Sequence, residues 1–333
     1  MTGRHRKTRL KLASMAAGLC LAILLGEAFV RAVEPRPDTK GIPLPGSARR
    51  YGFARESVGY AGGVEFMTDS LGFRTCNPHE ARERESTLVV VLGDSYAFGY
   101  GVRCEDAFPT VLQDRLQQHY PSNRIRVVNL AIPGYDTLQE LATLAEIGPN
   151  LKPAVVLLAY HLNDIERTNS DEHGPRSGFK DALRRADSHF HLLRLLLPRM
   201  AALARSVGFH QVPSTASAEV EEYLTDGPAW RENQKTLKEL FALANTWHWR
   251  LGVVVVPYVV DLTDRHPSLG AYQVVVDFCT SKNVPVVNAF DYFRGREARR
   301  LWINLLDGHP NAEGHVLIAK AANDLIVSRH LLE

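Results

Sequence analysis

Five short runs of hydrophobic residues punctuate the chain, and several segments between them repeat apolar residues at helical spacing. The runs are Leu88–Leu92, Ile125–Leu130, Ala154–Tyr160, Leu251–Val256 and Val284–Asn288. Short continuous runs rich in β-branched residues are typical of strands buried on both faces. Helical spacing covers residues 108–119, 137–147, 229–247 and 311–328. This alternation predicts an α/β fold around a parallel sheet of about five strands.

A long segment, at about residues 165–228, separates the third and fourth predicted strands. Its first part is rich in polar residues and reads as a loop, whereas residues 179–207 carry apolar side chains at helical spacing with many arginines. We therefore predict a helical insertion over one edge of the sheet. The pattern is compatible with a packed excursion or with a lid that faces a membrane or a substrate.

The N-terminus combines positive charge with an apolar run. Basic side chains at positions 4, 6, 7, 9 and 11 precede the uncharged run Leu12–Gly26, which extends through Val30 if Glu27 reaches the lipid headgroups. A spanning helix needs ~20 mostly apolar residues, and the basic end of such a helix stays in the cytoplasm. Residues 1–33 are thus predicted to form a cytoplasmic tip and an uncleaved membrane anchor, with a cleaved signal peptide or a buried helix as alternatives.

Residues 34–50 are rich in proline and glycine, which predicts an extended linker between the membrane and a globular domain over residues 51–333. The net charge of the 333-residue chain is only +2, so its composition gives no global case for nucleic-acid binding. Four cysteines without a C-x-x-C pair argue against a disulfide-rich scaffold or a zinc ribbon. Cys76 and Cys104 flank the first strand, and a disulfide between them is compatible with an oxidising compartment.

Polar residues follow the predicted strands where ligands bind in open α/β sheets, at the carboxyl ends. Ser95 follows the first strand and is a candidate nucleophile. His309, before the last helix, is a candidate base, and Asp307 is a candidate carboxylate that fixes its tautomer. The backbone N–H groups of Ser95 and Gly134 and the side chain of Asn163 are candidate donors to an oxyanion. No cluster with metal-ligand spacing occurs, so neither a metal nor another cofactor is expected.

Four sequence blocks resemble those of the SGNH/GDSL hydrolases. They are GDSY at 93–96, AIPGY at 131–135, LND at 162–164 and DGHPNAEGH at 307–315. The segment DSLGFR at 69–74 resembles the membrane-anchored bacterial subgroup of that family. The resemblance covers about residues 66–330 and implies a flavodoxin-like three-layer α/β/α sandwich with metal-independent ester hydrolysis. It also implies that Ser95 is the nucleophile, His309 the base, and that Ser95, Gly134 and Asn163 form the oxyanion hole.

Two positions depart from the family pattern. His161 stands where the third block usually has glycine, which makes it a candidate substrate contact. Asp307 lies two residues before His309, where the family usually has three. An Asp-x-His spacing does occur in alginate O-acetylation proteins of the wider superfamily, so either Asp307 or a backbone carbonyl orients the imidazole. His315 is an alternative base, although a packed histidine is the plainer interpretation.

The polar residues Asp261, Asp264 and His266 follow the fourth strand and either line the cleft or form a solvated loop. The resulting expectation is a metal-independent serine ester hydrolase that forms an acyl-serine on an O-acyl ester of glycan or lipid type. It would be a single-pass protein of the bacterial inner membrane, held through residues 12–33, with its catalytic domain periplasmic or extracellular. An O-acyltransferase that uses the same residues is the alternative, and a non-catalytic envelope protein is a third. The expected partners are an ester-bearing small molecule or glycan and the membrane, without nucleic acid.

Overall fold

A computed structural model describes residues 14–15, 17–18, 21–28, 37–78, 86–165, 215–304 and 307–333, with side chains described from residue 219 in the segment that starts at 215. The chain divides into two compact units. One comprises residues 1–35 and 170–213, and the other comprises residues 36–169 and 214–333. In the first unit the described residues are helical.

Among the described residues, no helix has both the length and the apolar character that crossing a bilayer requires. The predicted anchor at residues 12–33 lies only partly within the described residues, and the segment 179–207 of the predicted insertion lies outside them. From the insertion, residues Thr215–Leu224 are described and form a helix.

The described part of the second unit contains twelve strands and eight α-helices. The strands are β1 (Ile42–Pro43), β2 (Tyr51–Gly52), β3 (Val58–Ala61), β4 (Val64–Thr68), β5 (Arg74–Thr75), β6 (Thr87–Gly93), β7 (Ile125–Asn129), β8 (Val155–Tyr160), β9 (Arg250–Val255), β10 (Val286–Asn288), β11 (Trp302–Asn304) and β12 (Asp307–Pro310). The helices are α1 (Ser95–Phe98), α2 (Phe108–His119), α3 (Thr137–Leu151), α4 (Thr215–Leu224), α5 (Pro228–Thr246), α6 (Leu269–Ser281), α7 (Phe290–Phe293) and α8 (Ala312–Ser328).

Strands β6 to β10 form one parallel sheet in the order β10-β9-β8-β6-β7, which confirms the predicted five-stranded parallel sheet. This is the strand order of flavodoxin-like folds. The strands are continuous apolar runs because helices cover both faces, and every residue of β8 is buried. Helices α2 and α8 pack together as one layer, and α3 and α5 pack together in the other.

Two of the long helices that cover the sheet, α3 and α8, start with a capping side chain. Asp136 accepts a hydrogen bond from the backbone N–H of Gln139, whose side chain bonds back to the backbone N–H of Asp136, so α3 starts with a capping box. Asn311 accepts from the backbone N–H of Gly314 and caps α8, as its position in the sequence predicts. These caps fix where the loops on the carboxyl side of the sheet end.

Residues 38–50 of the predicted linker belong to the second unit and are bonded to other parts of it. Strand β1 pairs with β2, and the carboxylate of Asp38 accepts the backbone N–H of Gly62 at 2.8 Å. Arg49 forms an ion pair with Glu146 of α3, also at 2.8 Å. Proline and glycine do favour an extended chain here, but composition cannot reveal that distant residues hold that chain in place.

A disulfide joins Cys76, just after β5, to Cys104, in the turn before α2, with the two Cα atoms 5.4 Å apart. Cys104 lies within the segment that leads from Ser95 into α2. The remaining described thiol, Cys279, is buried in α6. The bond therefore links the small antiparallel sheet β3-β4-β5 to the central sheet domain covalently.

Replacing both bridged cysteines by serine is expected to lower the free energy of unfolding by about 3.5 kcal/mol, because the bond closes a 28-residue loop in the unfolded chain. Urea unfolding of the oxidised protein and of the Cys76→Ser/Cys104→Ser variant measures the difference. A reductant should destabilise the wild type to the level of the variant and leave the variant unchanged. Equal stability of the wild type with and without reductant would contradict the expectation.

Candidate active site

The chain order of the sheet creates a crevice where the first connections diverge. Strand β6 leads to β7 on one side, and the chain then crosses back to β8 on the other side. Such a switch point is the usual ligand site of an open α/β sheet. Ser95 follows β6 and Asn163 follows β8, so the sequence blocks at 93–96 and 162–164 come together here.

The turn that carries Ser95 depends on a glycine and an aspartate. Gly93 has φ of +152°, and a Cβ atom at this position would lie 2.5 Å from the Cβ of Ala97, so a larger residue does not fit. The carboxylate of Asp94 accepts the backbone N–H of Tyr96 at 2.9 Å and caps α1. The chain thus turns sharply from the strand into one helical turn, with the half-buried Ser95 at its start.

Ser95, His309 and Asp307 are hydrogen-bonded in series. The Ser95 Oγ lies 2.9 Å from His309 Nε2, and His309 Nδ1 lies 2.6 Å from Asp307 Oδ1. The same carboxylate oxygen accepts the backbone N–H of His309 at 3.0 Å. Burial by itself raises the pKa of Asp307, but the hydrogen bonds and charge of His309 lower that pKa below its ordinary value.

Strand geometry explains how an Asp-x-His spacing serves this arrangement. Asp307 and His309 are alternate residues of β12, which pairs with β11, and alternate residues of a strand point to the same face. The structure therefore pairs Asp307 with the imidazole, as the first of the two sequence alternatives expects.

Two tyrosines that the sequence analysis did not single out flank the imidazole. The ring centres of Tyr96 and Tyr100 lie 5.1 and 4.7 Å from that of His309. Tyr100 donates its hydroxyl hydrogen to the carboxylate of Asp38 at 2.7 Å, and burial followed by this bond raises the pKa of Tyr100. Tyr96 belongs to the GDSY block, but nothing in the sequence separates Tyr100 from an ordinary core tyrosine.

Gly134 lies in a tight turn beside the nucleophile strand. The N–H of Ile132 donates to the carbonyl of Gly93 at 3.2 Å, and the N–H of Tyr135 closes the turn on Ile132 at 3.1 Å. With a proline at the second position and φ of +80° at the third, the turn requires glycine at position 134. A Cβ atom there would lie 3.0 Å from the hydroxyl of Tyr51, which donates to the carbonyl of Pro133.

Asn163 is held on both sides of its amide group. Its Nδ2 donates to Oδ2 of Asp94 at 3.2 Å, the carboxylate oxygen that does not cap α1. Its Oδ1 lies 2.7 Å from Nδ1 of His161. Asp164 accepts the backbone N–H of His161 at 2.8 Å and closes the short helical turn that follows β8. Burial, and then the neighbouring Glu140, raise the pKa of Asp164. Asp94 thus connects the turn of Ser95 to the side chain of Asn163.

The DSLGFR segment packs behind the nucleophile turn. Asp69 accepts the backbone N–H groups of Leu71 and Phe73 and shapes the turn before β5. The buried Arg74 then donates to the carbonyl of Phe98, the last residue of α1, at 3.0 Å and to that of Val102, in the loop after α1, at 2.7 Å. Burial lowers the pKa of Arg74 to about 10, which still leaves it charged near neutral pH. Through Arg74, the segment therefore holds the end of the helical turn that starts at Ser95.

The other polar candidates do not join the series. Asp264 pairs with Arg294 on the surface. His266 is buried and bonds to the carbonyl of Tyr258 and the backbone N–H of Ser268, both at 3.0 Å. Asp261 is exposed and accepts the hydroxyl of Thr263. Within the described ranges, no group of three or more His, Cys, Asp and Glu residues is arranged to hold a metal ion.

His315, the alternative base, is a packed residue of α8. It is fully buried, and its Nδ1 accepts the backbone N–H of Phe108 at 3.2 Å. Burial, followed by the charges of Arg74 and His309, lowers its pKa to about 3. The packed interpretation is therefore the correct one, and His315 is neutral in the folded protein near neutral pH.

The buried neutral His315 predicts a loss of stability in mild acid. The pKa of His315 is about 3 in the folded protein and about 6.5 in the unfolded chain, so between these pH values the unfolded chain binds a proton that the folded protein does not. The free energy of unfolding therefore falls as the pH drops from about 6.5 toward 3. At pH 5 this residue should cost about 2 kcal/mol relative to pH 7.5. Urea unfolding at both pH values measures the loss, and His315→Gln should show a loss smaller by that amount. An identical pH dependence in the variant would contradict the prediction.

The site combines a serine hydroxyl, an imidazole and a carboxylate, which are hydrogen-bonded in series at the carboxyl edge of a parallel α/β sheet. Serine hydrolases have this arrangement. The model of the GDSL-like lipase/acylhydrolase family matches residues 91–317. The chain belongs to this family.

Individual similarities are more distant. An arylesterase from Vibrio mimicus is 33% identical over 84 residues, which cover 25% of this chain and 41% of that protein, so the match spans less than half of the relative. A catalytic mutant of an acetylxylan esterase from Geobacillus stearothermophilus is 16% identical, with a TM-score of 0.48 over 74% of this chain and 96% of that one. A psychrotrophic esterase from Pseudoalteromonas sp. is also 16% identical, with a TM-score of 0.44 over 74% and 100% of the chains.

Proposed function

We propose that this protein is a serine ester hydrolase that cleaves an O-acyl ester through an acyl-serine intermediate. The observation that carries the proposal is the hydrogen-bonded series from Ser95 through His309 to Asp307, with distances of 2.9 and 2.6 Å. These distances suit proton transfer from the hydroxyl to the imidazole without rearrangement. Membership of a lipase/acylhydrolase family supports an ester as the substrate.

In the first half of the reaction, Ser95 Oγ attacks the ester carbonyl carbon while its proton passes to Nε2 of His309. The carbonyl oxygen becomes an oxyanion, for which Ser95 N–H, Gly134 N–H and the Asn163 amide are the proposed donors. Asp307 stabilises the imidazolium through Nδ1. When the tetrahedral intermediate collapses, the C–O bond of the ester breaks, and His309 returns the proton to the leaving alcohol.

In the second half, water takes the place of the alcohol. It attacks the carbonyl carbon of the acyl-serine and gives its proton to His309, and the same three donors hold the second oxyanion. Collapse of this intermediate breaks the bond to Ser95 Oγ, which recovers a proton from His309, and releases the carboxylic acid. Each group thus returns to its initial state.

The proposed substrates are acyl esters of glycan or lipid type outside the cytoplasm, with residues 12–33 as a membrane anchor. Basic residues ahead of an uncharged run support this topology. The Cys76–Cys104 disulfide supports it independently, since disulfides persist in oxidising compartments. The DSLGFR resemblance points to the same membrane-anchored bacterial subgroup.

The activity is tested with the full-length chain purified in detergent and a series of p-nitrophenyl esters of increasing acyl length. A fluorophosphonate probe should label Ser95, as peptide mass spectrometry would show, and at least one ester should be hydrolysed. Adding a sugar acceptor and analysing the products distinguishes release of the acid from transfer to a sugar hydroxyl. If the probe does not label the protein and no ester is hydrolysed, the proposal is contradicted.

The topology is tested separately in cells. An intact N-terminus is expected in the membrane fraction, and external protease should digest the catalytic unit once the inner membrane is exposed in spheroplasts. A mature N-terminus between residues 26 and 40 would instead indicate a cleaved signal peptide. A catalytic unit that stays protected in spheroplasts would contradict the proposed location.

A further inference from the structure

His161 is the residue of the site that the reaction scheme leaves without a role. Its ring stacks on Tyr96, with centres 4.1 Å apart and planes inclined by 24°, and the ring of Tyr258 lies nearly perpendicular to it, with centres 4.3 Å apart. Only 1% of its surface is exposed. A side chain enclosed in this way has almost no surface left for a substrate, although it lies beside the turn of Ser95.

Among the described residues, the ring makes one polar contact, which goes to Asn163. His161 Nδ1 lies 2.7 Å from Asn163 Oδ1, whereas the buried Nε2 has no hydrogen-bond partner within that part of the chain. An amide oxygen only accepts hydrogen bonds, so Nδ1 carries the proton and donates it. An unprotonated Nε2 then leaves no buried N–H without an acceptor. Burial lowers the pKa of His161, which agrees with a neutral ring.

The position of the amide nitrogen of Asn163 is also fixed by a hydrogen bond. Asp94 offers a carboxylate oxygen 3.2 Å from Nδ2 of Asn163, and a carboxylate prefers an N–H to a carbonyl oxygen. His161 and Asp94 therefore select the same one of the two amide orientations. The second hydrogen of Nδ2 remains for another acceptor.

We propose that His161 is a positioning residue, whose Nδ1–H holds the Asn163 amide with its nitrogen directed to the reacting carbonyl oxygen. This inference rests on the proposed function, because it assigns a role in the same oxyanion site. The bond also polarises the amide, which makes the remaining N–H a stronger donor. Glycine, the usual residue of the family at this position, has no side chain that supplies such a donor.

The test is a double-mutant cycle on ester turnover by the full-length chain. His161→Phe keeps an aromatic ring between Tyr96 and Tyr258 but removes the donor, and it is expected to lower kcat about 10- to 30-fold with KM changed less than about 2-fold. Asn163→Ala should lower kcat about 100- to 1000-fold. The double variant should match Asn163→Ala within about 2-fold, because the histidine acts only through the asparagine.

The contrary outcomes are distinct. Multiplicative losses in the double variant would show that His161 acts independently of Asn163 and would overturn the proposal. A raised KM with unchanged kcat in His161→Phe would also overturn it, in favour of the candidate substrate contact. A wild type that hydrolyses no ester refutes the proposed function itself, whatever the variants do.

A spectroscopic measurement on the wild-type protein is independent of turnover. Nitrogen-15 spectra of histidine-labelled wild-type protein at pH 7.5 should show His161 as the neutral tautomer protonated at Nδ1, assigned by the loss of its signals in His161→Gln. Protonation at Nε2 with a bare Nδ1 would leave no donor for Asn163 and would overturn the proposal.

Discussion

Ser95→Ala is expected to lower kcat/KM for p-nitrophenyl acetate by at least about 10⁴-fold. The substitution removes the oxygen that forms the covalent bond, and the hydroxyl that lies 2.9 Å from His309 has no substitute in the series. Folding should be unaffected, because the turn is held by the Asp94 cap and by Gly93 and not by the hydroxyl. Activity assays and circular dichroism of the full-length chain measure both effects.

The matched control is Ser122→Ala, which removes a hydroxyl from the exposed turn between α2 and β7, at the amino edge of the sheet. It should keep full activity and full labelling by a fluorophosphonate, whereas Ser95→Ala should lose both. More than a few percent of wild-type activity in Ser95→Ala would mean that another residue is the nucleophile.

Replacing Asp307 should separate the effect of its charge from that of its hydrogen bonds. Asp307→Ala removes the acceptor of His309 Nδ1 and should lower kcat by about 10³- to 10⁴-fold. Asp307→Asn should lower kcat by only about 10- to 100-fold. The reason is that one oxygen accepts both Nδ1–H and the backbone N–H of His309, so the backbone donor keeps the amide oxygen of the variant turned to the imidazole.

Steady-state kinetics of both variants at a fixed pH test this order. Asp114→Asn, on the exposed side of α2, is the control for loss of a single negative charge and should be fully active. If Asp307→Ala keeps most of its activity, a backbone carbonyl orients His309 instead. If the asparagine variant is as impaired as the alanine variant, the backbone bond does not control the amide.

The central sheet was predictable because its strands are buried on both faces. A run such as the one in β8 has no polar face, so its sequence alone marks the strand, and the observed end points agree with the predicted ones within about two residues. The polar blocks between these runs then fall at the carboxyl edge by topology alone. Topology thus predicts that Ser95 and Asn163 lie together, whereas Asp307 and His309 lie in β12, outside the central sheet, and the sequence left open whether Asp307 or a backbone carbonyl orients the imidazole.

Other elements escaped prediction for physical reasons. Helix α6 contains three consecutive valines, whose intrinsic preference is for strands, and its packing against the sheet overrides that preference. Strands β3 to β5 have two to five residues, too few for a clear alternation. At the site, Asp38 and Tyr51 were missed because each contact joins residues far apart in sequence, such as Tyr51 and Pro133, which are 82 positions apart.

The family match begins at residue 91, but the edge of the site is built partly from residues that precede it. Asp38 bonds to Tyr100 beside the imidazole, and Tyr51 bonds to Pro133 beside Gly134. This side of the site therefore depends on residues outside the matched region. A truncated chain that begins at residue 91 would keep all four catalytic blocks but would lose the contacts to Tyr100 and to the turn of Gly134.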